Sequence, residues 1–280
     1  MASLLALVSS LLWGSADYRA GILSKNFPAI AVLGTSQAIG LLTGVVLVSI
    51  NGEWSAQAFG TGGYFFPGIA AGLCGYIGLI CLYAGLATGK MGVVSPVSSL
   101  SALIPFAYAM FVKDNQLSAV VMAGALMAIA GAFFASGPEV SQGLPLKPLL
   151  LALGAALGFG TALIAMAIGS EGSALATMTM MRATTFVLSL GILLRFRNFG
   201  GLGRKQIPAL IFIGVADFLA NLLLGVATTK GVLALAMVLG ALYPIATALL
   251  AFRFLHERLH KAQYVGIALA VSGVAIISAF

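Results

Sequence analysis

Long apolar runs separated by short polar breaks recur along the whole chain. Each run has about 20 residues, the length at which a helix crosses the hydrocarbon core of a bilayer. The runs are apolar on all sides and lack the polar alternation of membrane β-strands. The pattern therefore predicts ten transmembrane helices, at Ser3–Leu23, Ala29–Ile50, Tyr64–Thr88, Val93–Val112, Leu117–Ser136, Pro148–Gly169, Ala174–Leu194, Ile207–Thr228, Val232–Phe252 and Ala262–Phe280.

The chain contains this hydrophobic unit twice. The segment AGLATGKMGVVSPVSSLSALIP at residues 84–105 returns as LGVATTKGVLALAMVLGALYP at residues 224–244. Each copy holds five spans, an odd number, so the second copy enters the membrane in the opposite orientation. The repeat predicts an all-α integral membrane protein in which two inverted five-helix repeats, residues 1–140 and 141–280, form one domain around a central site.

Small residues and prolines inside the spans indicate how the helices pack and bend. Three pairs have the GxxxG spacing that lets helix backbones approach closely, Gly40/Gly44, Gly68/Gly72 and Gly154/Gly158. A proline inside a helix frees a carbonyl group and kinks the axis. Three such prolines predict hinges in the fourth and ninth spans, Pro96, Pro105 and Pro244.

Composition agrees with a lipid environment, since 61% of the residues are hydrophobic and only 8% are charged. The net charge of +7 does not indicate nucleic-acid binding, because the basic residues are dispersed over the loops. One side of the predicted membrane domain holds ten of them, Lys25, Lys90, Lys147, Arg195, Arg197, Arg204, Lys205, Arg253, Arg258 and Lys261, against Lys113 and Lys230 on the other. The positive-inside rule makes the richer side cytoplasmic and both termini periplasmic.

Three polar residues lie inside spans seven and eight, where lipid would surround them. An unpaired charge at the bilayer centre costs about 2.5–3.5 kcal/mol, so Arg182 and Asp217 must pair or face water. Asn221 lies one helical turn after Asp217, on the same face. In the repeat, Arg182 aligns with the neutral Gln37. Two roles remain open for these residues, a structural ion pair and the lining of a substrate cavity.

Aromatic and serine residues complete the candidate substrate site. The aromatic candidates are Trp13, Tyr76, Tyr83 and Tyr243, and the serine candidates beside the first proline break are Ser95 and Ser99. Simple packing, or hydroxyl groups bonded to their own helix, would explain the same residues. Asp17 and Arg19, near the end of the first span, are interpreted as interfacial anchors, although Trp13 lies one turn before Asp17 on the same helix face and is a candidate pocket residue.

No catalytic or metal constellation is expected. His256, Glu257 and His260 spell H-E-x-x-H, the spacing of zinc proteases, but a third ligand is missing downstream and the segment is a short loop. No phosphate-binding loop of nucleotide-driven transporters occurs either. We therefore expect no cofactor, no metal and no enzymatic activity.

The order of the motifs resembles the EamA branch of the drug/metabolite transporter superfamily. The resemblance rests on Trp13-Gly14, on the repeated lysine, glycine and proline pattern of spans four and nine, and on residues 254–259 leading into Gly266 and Gly273. It is strongest to bacterial YddG-type exporters of aromatic and other neutral amino acids. It implies a basket of spans 1–4 and 6–9 around a central cavity, with spans 5 and 10 outside it, and alternating access by rocking of spans 3–4 and 8–9.

The leading functional hypothesis is a secondary transporter of the bacterial inner membrane that exports amino acids or similar small metabolites. Its expected partners are that substrate and the lipid bilayer, without nucleic acid, and a monomer is compatible with this plan. A cationic-drug exporter is the alternative within transport, and an intramembrane enzyme is the alternative from another class.

Overall fold

The helices begin and end close to the polar breaks in the sequence. The computed structural model describes residues 1–88, 97–135, 146–196, 201–254 and 261–279. Their helices are α1 (Ala2–Ser24), α2 (Ala29–Asn51), α3 (Phe65–Thr88), α4 (Leu103–Phe111), α5 (Ala119–Ala135), α6 (Leu146–Phe196), α7 (Ile207–Lys230), α8 (Leu233–Gly240), α9 (Tyr243–Phe254) and α10 (Lys261–Ala279). Within these residues there is no strand, so the prediction of an all-α protein is confirmed for them.

Helix α6 contains a break at Ser173, whose φ of −150° and ψ of 110° are not helical. A straight helix of 51 residues would be roughly 75 Å long, more than twice the hydrocarbon thickness, so one crossing cannot accommodate it. The Ser173 hydroxyl accepts a hydrogen bond from the Ala176 amide at 2.9 Å. It thereby caps the second segment (residues 174–196), and a single residue separates that segment from the first (residues 146–172).

The two proline-containing regions differ from the continuous, kinked helices that the sequence predicts. Pro105 is the third residue of α4 and follows a 3₁₀ turn at Leu100–Ala102. Pro244 is the second residue of α9, and a turn at residues 241–242 separates α9 from α8. Proline is well tolerated in the first turn of a helix because that turn lacks intrahelical acceptors for its amides. The irregular backbone therefore precedes each proline, and Pro96 lies outside the described residues.

Length and composition fit a membrane environment. Five helical stretches among the described residues are long and apolar enough to cross a bilayer, Ala29–Asn51, Phe65–Leu82, Leu146–Arg195, Arg204–Lys230 and Leu233–Phe254. Three shorter helices are also apolar, Val97–Phe111, Ala119–Ala135 and Lys261–Ile277. Large apolar side chains on their outer faces, such as Leu42 and Leu157, are more than half exposed, as expected for surfaces that lipid would cover.

Glycine residues let the helices around α6 approach closely. A Cβ atom added at Gly158 would lie 2.7 Å from the Gly78 Cα atom, where α3 crosses the first segment of α6. Gly72 is similarly close to Thr184 in the second segment, and Gly44 is close to Thr179. All three GxxxG pairs that the sequence singles out therefore contain a glycine pressed against a neighbouring helix.

Helices α5 and α10 pack against each other through a second set of glycines. A Cβ atom at Gly273 would lie 2.5 Å from the Gly124 carbonyl oxygen, and one at Gly266 would lie 2.8 Å from that of Gly131. The residue numbers rise along α5 as they fall along α10, so the two helices are antiparallel. Two more glycines are in close contact with other helices: Gly14 of α1 lies against Tyr243 and Ala246 of α9, while Gly160 of α6 lies against Ile104 of α4.

Replacing Gly158 by alanine is expected to lower the free energy of unfolding by about 1–3 kcal/mol, because the added methyl group overlaps the α3 backbone. The measurement is an SDS titration in mixed micelles followed by Trp13 and Trp54 fluorescence.

Gly191→Ala is the matched control, since a Cβ atom there meets nothing within 4 Å in the described structure. That variant should be as stable as the parent protein or slightly more so, because alanine favours helix over glycine by about 1 kcal/mol. Equal destabilisation by both substitutions would contradict the packing argument.

Candidate functional site

A cavity of about 270 Å³ lies between α1, α2, α3, α6, α7 and the α8–α9 turn. Its wall is largely apolar and includes Leu33, Leu79, Phe159, Met166 and Met181. The lining residues with a polar group are fewer, and they come from five helices and the 3₁₀ turn before α4: Trp13, Asp17, Ser24, Ser36, Gln37, Ser101, Arg182, Thr185, Asp217, Asn221 and Tyr243. A mostly apolar pocket with a few convergent polar groups is typical of a small-molecule site.

Arg182 and Asp217 form an ion pair at the cavity wall. The Arg182 Nη2 atom lies 2.9 Å from the Asp217 Oδ2 atom, and the two side chains are 5% and 24% exposed. Arg182 Nη2 also donates to the Asp217 backbone oxygen at 3.3 Å. The pair connects the second segment of α6 to α7 and neutralises two charges that lipid could not solvate.

Three further side chains donate hydrogen bonds to the Asp217 carboxylate. The Trp13 Nε1 atom donates to Oδ1 at 2.9 Å, and the Asn221 Nδ2 atom donates to the same oxygen at 3.2 Å. The Gln37 Nε2 atom donates to Oδ2 at 3.5 Å. Both carboxylate oxygens therefore have two donors each, counting Arg182, so the hydrogen-bonding capacity of Asp217 is largely used within the protein.

Gln37 links the ion pair to α2. Its Oε1 atom accepts hydrogen bonds from Arg182 Nη1 at 2.7 Å and from the Thr185 hydroxyl at 2.8 Å. The Arg182 Nε atom is buried without a hydrogen-bond partner among the described residues. It lies beside Gly40, where an added Cβ atom would be 3.6 Å away. The guanidinium group is thus held by protein groups and by close packing.

Trp13 and Tyr243 form the aromatic part of the wall. Their ring centroids are 5.9 Å apart, with an angle of 68° between the rings. This edge-to-face geometry is favourable for aromatic pairs. Tyr243 starts α9 immediately before Pro244, so the break between α8 and α9 places its ring against α1.

Asp17 lies on the cavity wall, although the sequence favours an interfacial anchor. It follows Trp13 by four residues and therefore shares its helix face. Ala16 and Ala20 of the same helix also line the cavity. Arg19 is exposed and does not belong to the lining. The four-residue spacing from a candidate aromatic residue, with alanines around it, was the sequence signal that could have identified Asp17.

The remaining candidate residues either lie apart from the cavity or fall outside the described residues. Tyr76 is buried between helices, where its hydroxyl oxygen accepts a hydrogen bond from Ser189 at 3.4 Å. Ser99 is also buried away from the lining, while its neighbour Ser101 contributes to it. Ser95 and the side chain of Tyr83 fall outside the described structure. The assignment of Ser95 and Tyr83 to the substrate site stays a prediction.

The H-E-x-x-H sequence at residues 256–260 lies outside the described residues. Within the part of the chain that is described, no group of three or more His, Cys, Asp or Glu side chains could hold a metal ion.

The chain is similar to a known family over its second half and to a solved structure over nearly its whole length. Residues 146–279 match the EamA-like transporter family. Among 27 matching chains of solved structures, one crystal structure superposes with a TM-score of 0.79 at 18% identity, covering 99% of this chain and 96% of that chain, which shows the fold alone. No curated protein matches the sequence.

The family match lies in the second half of the chain and covers slightly less than half of its 280 residues. The apolar helices of the described residues agree with this match to a family of membrane transporters.

Substituting Arg182 by glutamine is expected to lower the free energy of unfolding by on the order of 3 kcal/mol, because it leaves the Asp217 charge without its cation. The double variant Arg182→Gln/Asp217→Asn, which removes both charges, should recover most of that loss. An SDS titration measures both.

Arg204→Gln removes an exposed arginine outside the cavity and serves as the control. A single variant at Arg182 that is as stable as this control, or a double variant worse than the single one, would show that the ion pair does not hold the helices together.

Proposed function

We propose that the protein is a secondary transporter of the bacterial inner membrane that exports amino acids or similar small metabolites by alternating access. The observation that carries the proposal is the cavity at the meeting point of the N-terminal and C-terminal helices. It is large enough for a small molecule and combines an aromatic and aliphatic wall with buried polar groups. A protein that only scaffolds other helices would have no need for intramembrane charges around a space.

The ten-span inverted repeat is part of this proposal. The antiparallel contact of α5 with α10 supports it, because helices at corresponding positions of inverted halves run in opposite directions. Gly14 against α9 and Gly160 against α4 give further support, since each pairs the first span of one half with the fourth span of the other. We further propose that the termini are periplasmic and that the side bearing Lys25 is cytoplasmic.

The shape of the cavity supports a state that faces the side bearing Lys25. Lining residues Ser24 and Ala29 flank the connection between α1 and α2 on that side, and Leu82 lies near the end of α3. Towards the opposite side, fully buried Met178, Met237 and Leu239 fill the interior. A substrate could therefore enter from one side while packed side chains block the other.

An ion pair and several hydrogen bonds also join the helices on the packed side, opposite Lys25. The Lys113 Nζ atom lies 2.7 Å from the Glu171 Oε1 atom, which ties the connection after α4 to the break in α6. Hydrogen bonding to Glu171 raises the pKa of Lys113, so its ammonium group stays charged at neutral pH. The Asn115 Oδ1 atom accepts a hydrogen bond from the Ala234 amide at 3.2 Å, and Glu53 hydrogen-bonds to Ser173. These contacts would have to open for release on this side.

Purified protein in sealed vesicles should move radiolabelled phenylalanine or threonine down an imposed gradient, several-fold faster than vesicles without protein. A quaternary ammonium ion tested in the same way addresses the cationic-drug alternative. Lack of flux of all three compounds would count against the export proposal.

Alternating access predicts that a cysteine at Val238 becomes reactive only when the Lys113 side opens. In a background where Cys74 and Cys81 are alanine, Val238→Cys should resist a membrane-impermeant maleimide, since Val238 is fully buried. Adding Lys113→Gln should raise its labelling by up to about fivefold, because an exposed ion pair contributes about 0.2–1 kcal/mol.

Lys230→Gln is the matched control, because it removes a lysine from the same side that has no ion pair within the described structure. Equal labelling in both variants would show that the Lys113–Glu171 pair does not keep this side closed. Restored protection in the charge-swapped variant Lys113→Glu/Glu171→Lys would show that it does.

A further inference from the structure

The positive and negative charges of the side chains that line the cavity are unequal in number. They are two carboxylates and one guanidinium group, Asp17, Asp217 and Arg182. Arg182 is paired with Asp217 at 2.9 Å, so these two neutralise each other. Asp17 remains as a carboxylate that has no hydrogen bond or ion pair with any described residue. A carboxylate in a mostly apolar cavity is unfavourable unless a cation or a hydrogen-bond donor accompanies it.

Asp217 is poorly suited to bind an incoming ammonium group. Its oxygens already accept hydrogen bonds from Trp13, Asn221 and Gln37, in addition to the ion pair. A ligand would have to displace one of these donors and would then face the positive charge of Arg182. No described residue donates a hydrogen bond to Asp17, and its side chain is exposed at the cavity wall.

The surroundings of Asp17 suit an ammonium group that carries an apolar body. Trp13 lies one turn before it, and the Trp13 and Tyr243 rings meet at 5.9 Å. Asp17 is close enough to Tyr243 and to Asp217 for electrostatic interaction with both. A cation beside these groups would be attracted by the carboxylates and by the faces of the rings, and Leu33, Leu79 and Phe159 offer apolar contacts.

The same cavity offers little to a ligand carboxylate. Among the described residues that line the cavity, Arg182 is the one cationic side chain. Its Nη atoms are bound by Gln37 and Asp217. Its Nε atom is buried beside Gly40 and out of reach of the cavity. The carboxylate of a zwitterionic amino acid would therefore lie near two acidic side chains without a free cation to balance it.

We infer that Asp17, flanked by Trp13 and Tyr243, forms an ammonium subsite, and that the transporter favours protonated primary or secondary amines with an apolar body over the corresponding amino acids. This inference rests on the proposed function and narrows its substrate class. Asp17 binds the ammonium through charge-assisted hydrogen bonds, which are stronger than neutral ones. The Arg182–Asp217 pair positions the surrounding helices and stays intact during binding.

The first test uses the unmodified protein in sealed vesicles, with three probes that share a phenylethyl body. Two of them are labelled and assayed for transport: 2-phenylethylamine, and phenylalanine, which adds a carboxylate. The third, 2-phenylethanol, has a hydroxyl group in place of the ammonium group and is tested only as an inhibitor. We expect kcat/KM for 2-phenylethylamine to exceed that for phenylalanine at least tenfold, and 2-phenylethanol to inhibit only weakly. Transport of phenylalanine at equal or higher efficiency would overturn the inference while leaving the proposed function standing. No flux of either labelled compound would count against both.

The second test replaces Asp17. Asp17→Asn keeps the shape of the side chain and removes the charge, so kcat/KM for 2-phenylethylamine should fall at least tenfold, whereas Asp17→Glu should retain much of it. Asp114→Asn is the matched control, because Asp114 lies in an exposed loop and its positive φ of 50° is compatible with asparagine. Unchanged amine transport in Asp17→Asn would overturn the inference.

Ligand-induced stabilisation gives a measurement that does not depend on flux. 2-Phenylethylamine should raise the thermal unfolding midpoint of the parent protein and of Asp114→Asn in detergent, but not that of Asp17→Asn. An equal shift in all three proteins would place the ammonium group elsewhere. A phenylethyltrimethylammonium ion, which has no N–H groups, should give a smaller shift than the primary amine, and an equal shift would overturn the hydrogen-bonding part of the inference.

Discussion

The ion pair of Arg182 with Asp217 is the interaction on which the architecture of the cavity depends. A charge inside a bilayer is tolerated only with a partner or with water, so these two side chains require α6 and α7 to meet at one place. The remaining hydrogen bonds extend that requirement to other helices, because Gln37 reaches the pair from α2 and Trp13 reaches it from α1. Four helices are thereby positioned around a common point, and the cavity is the space that they leave beside it.

Close packing supplies the second constraint. Apolar side chains gain little by leaving lipid for the protein interior, so helix association in a membrane depends on contact area and shape. Gly78 and Gly158 bring the backbones of α3 and α6 together, and Gly124 and Gly273 do the same for α5 and α10. The irregular turns before Pro105 and Pro244 each contribute a residue to the cavity lining, Ser101 and Ala241.

The helical fold followed from the sequence because every long apolar run must satisfy its backbone within itself. Helix ends such as those of α2 and α7 were predicted to within one or two residues. The pairing of Arg182 with Asp217 was one of two roles that desolvation left open, and the geometry shows that both residues also border the cavity. Asp17 was interpreted differently, because depth along a helix does not reveal which neighbours surround it. Tyr76 shows the converse, since an aromatic residue on a promising face is enclosed by packing that no single-helix argument can foresee.

The one-residue connection at Ser173 has a mechanical consequence. Its hydroxyl caps the second segment of α6, while Glu53 holds it from the loop after α2. Because only one residue joins the two segments, they cannot move independently at that point. A tilt of the first segment therefore also moves the start of the second. The second segment carries Arg182, which is tied to α7. A displacement of the cavity wall around Phe159, on the first segment, would thus also move Arg182 and α7, while the ion pair itself stays formed.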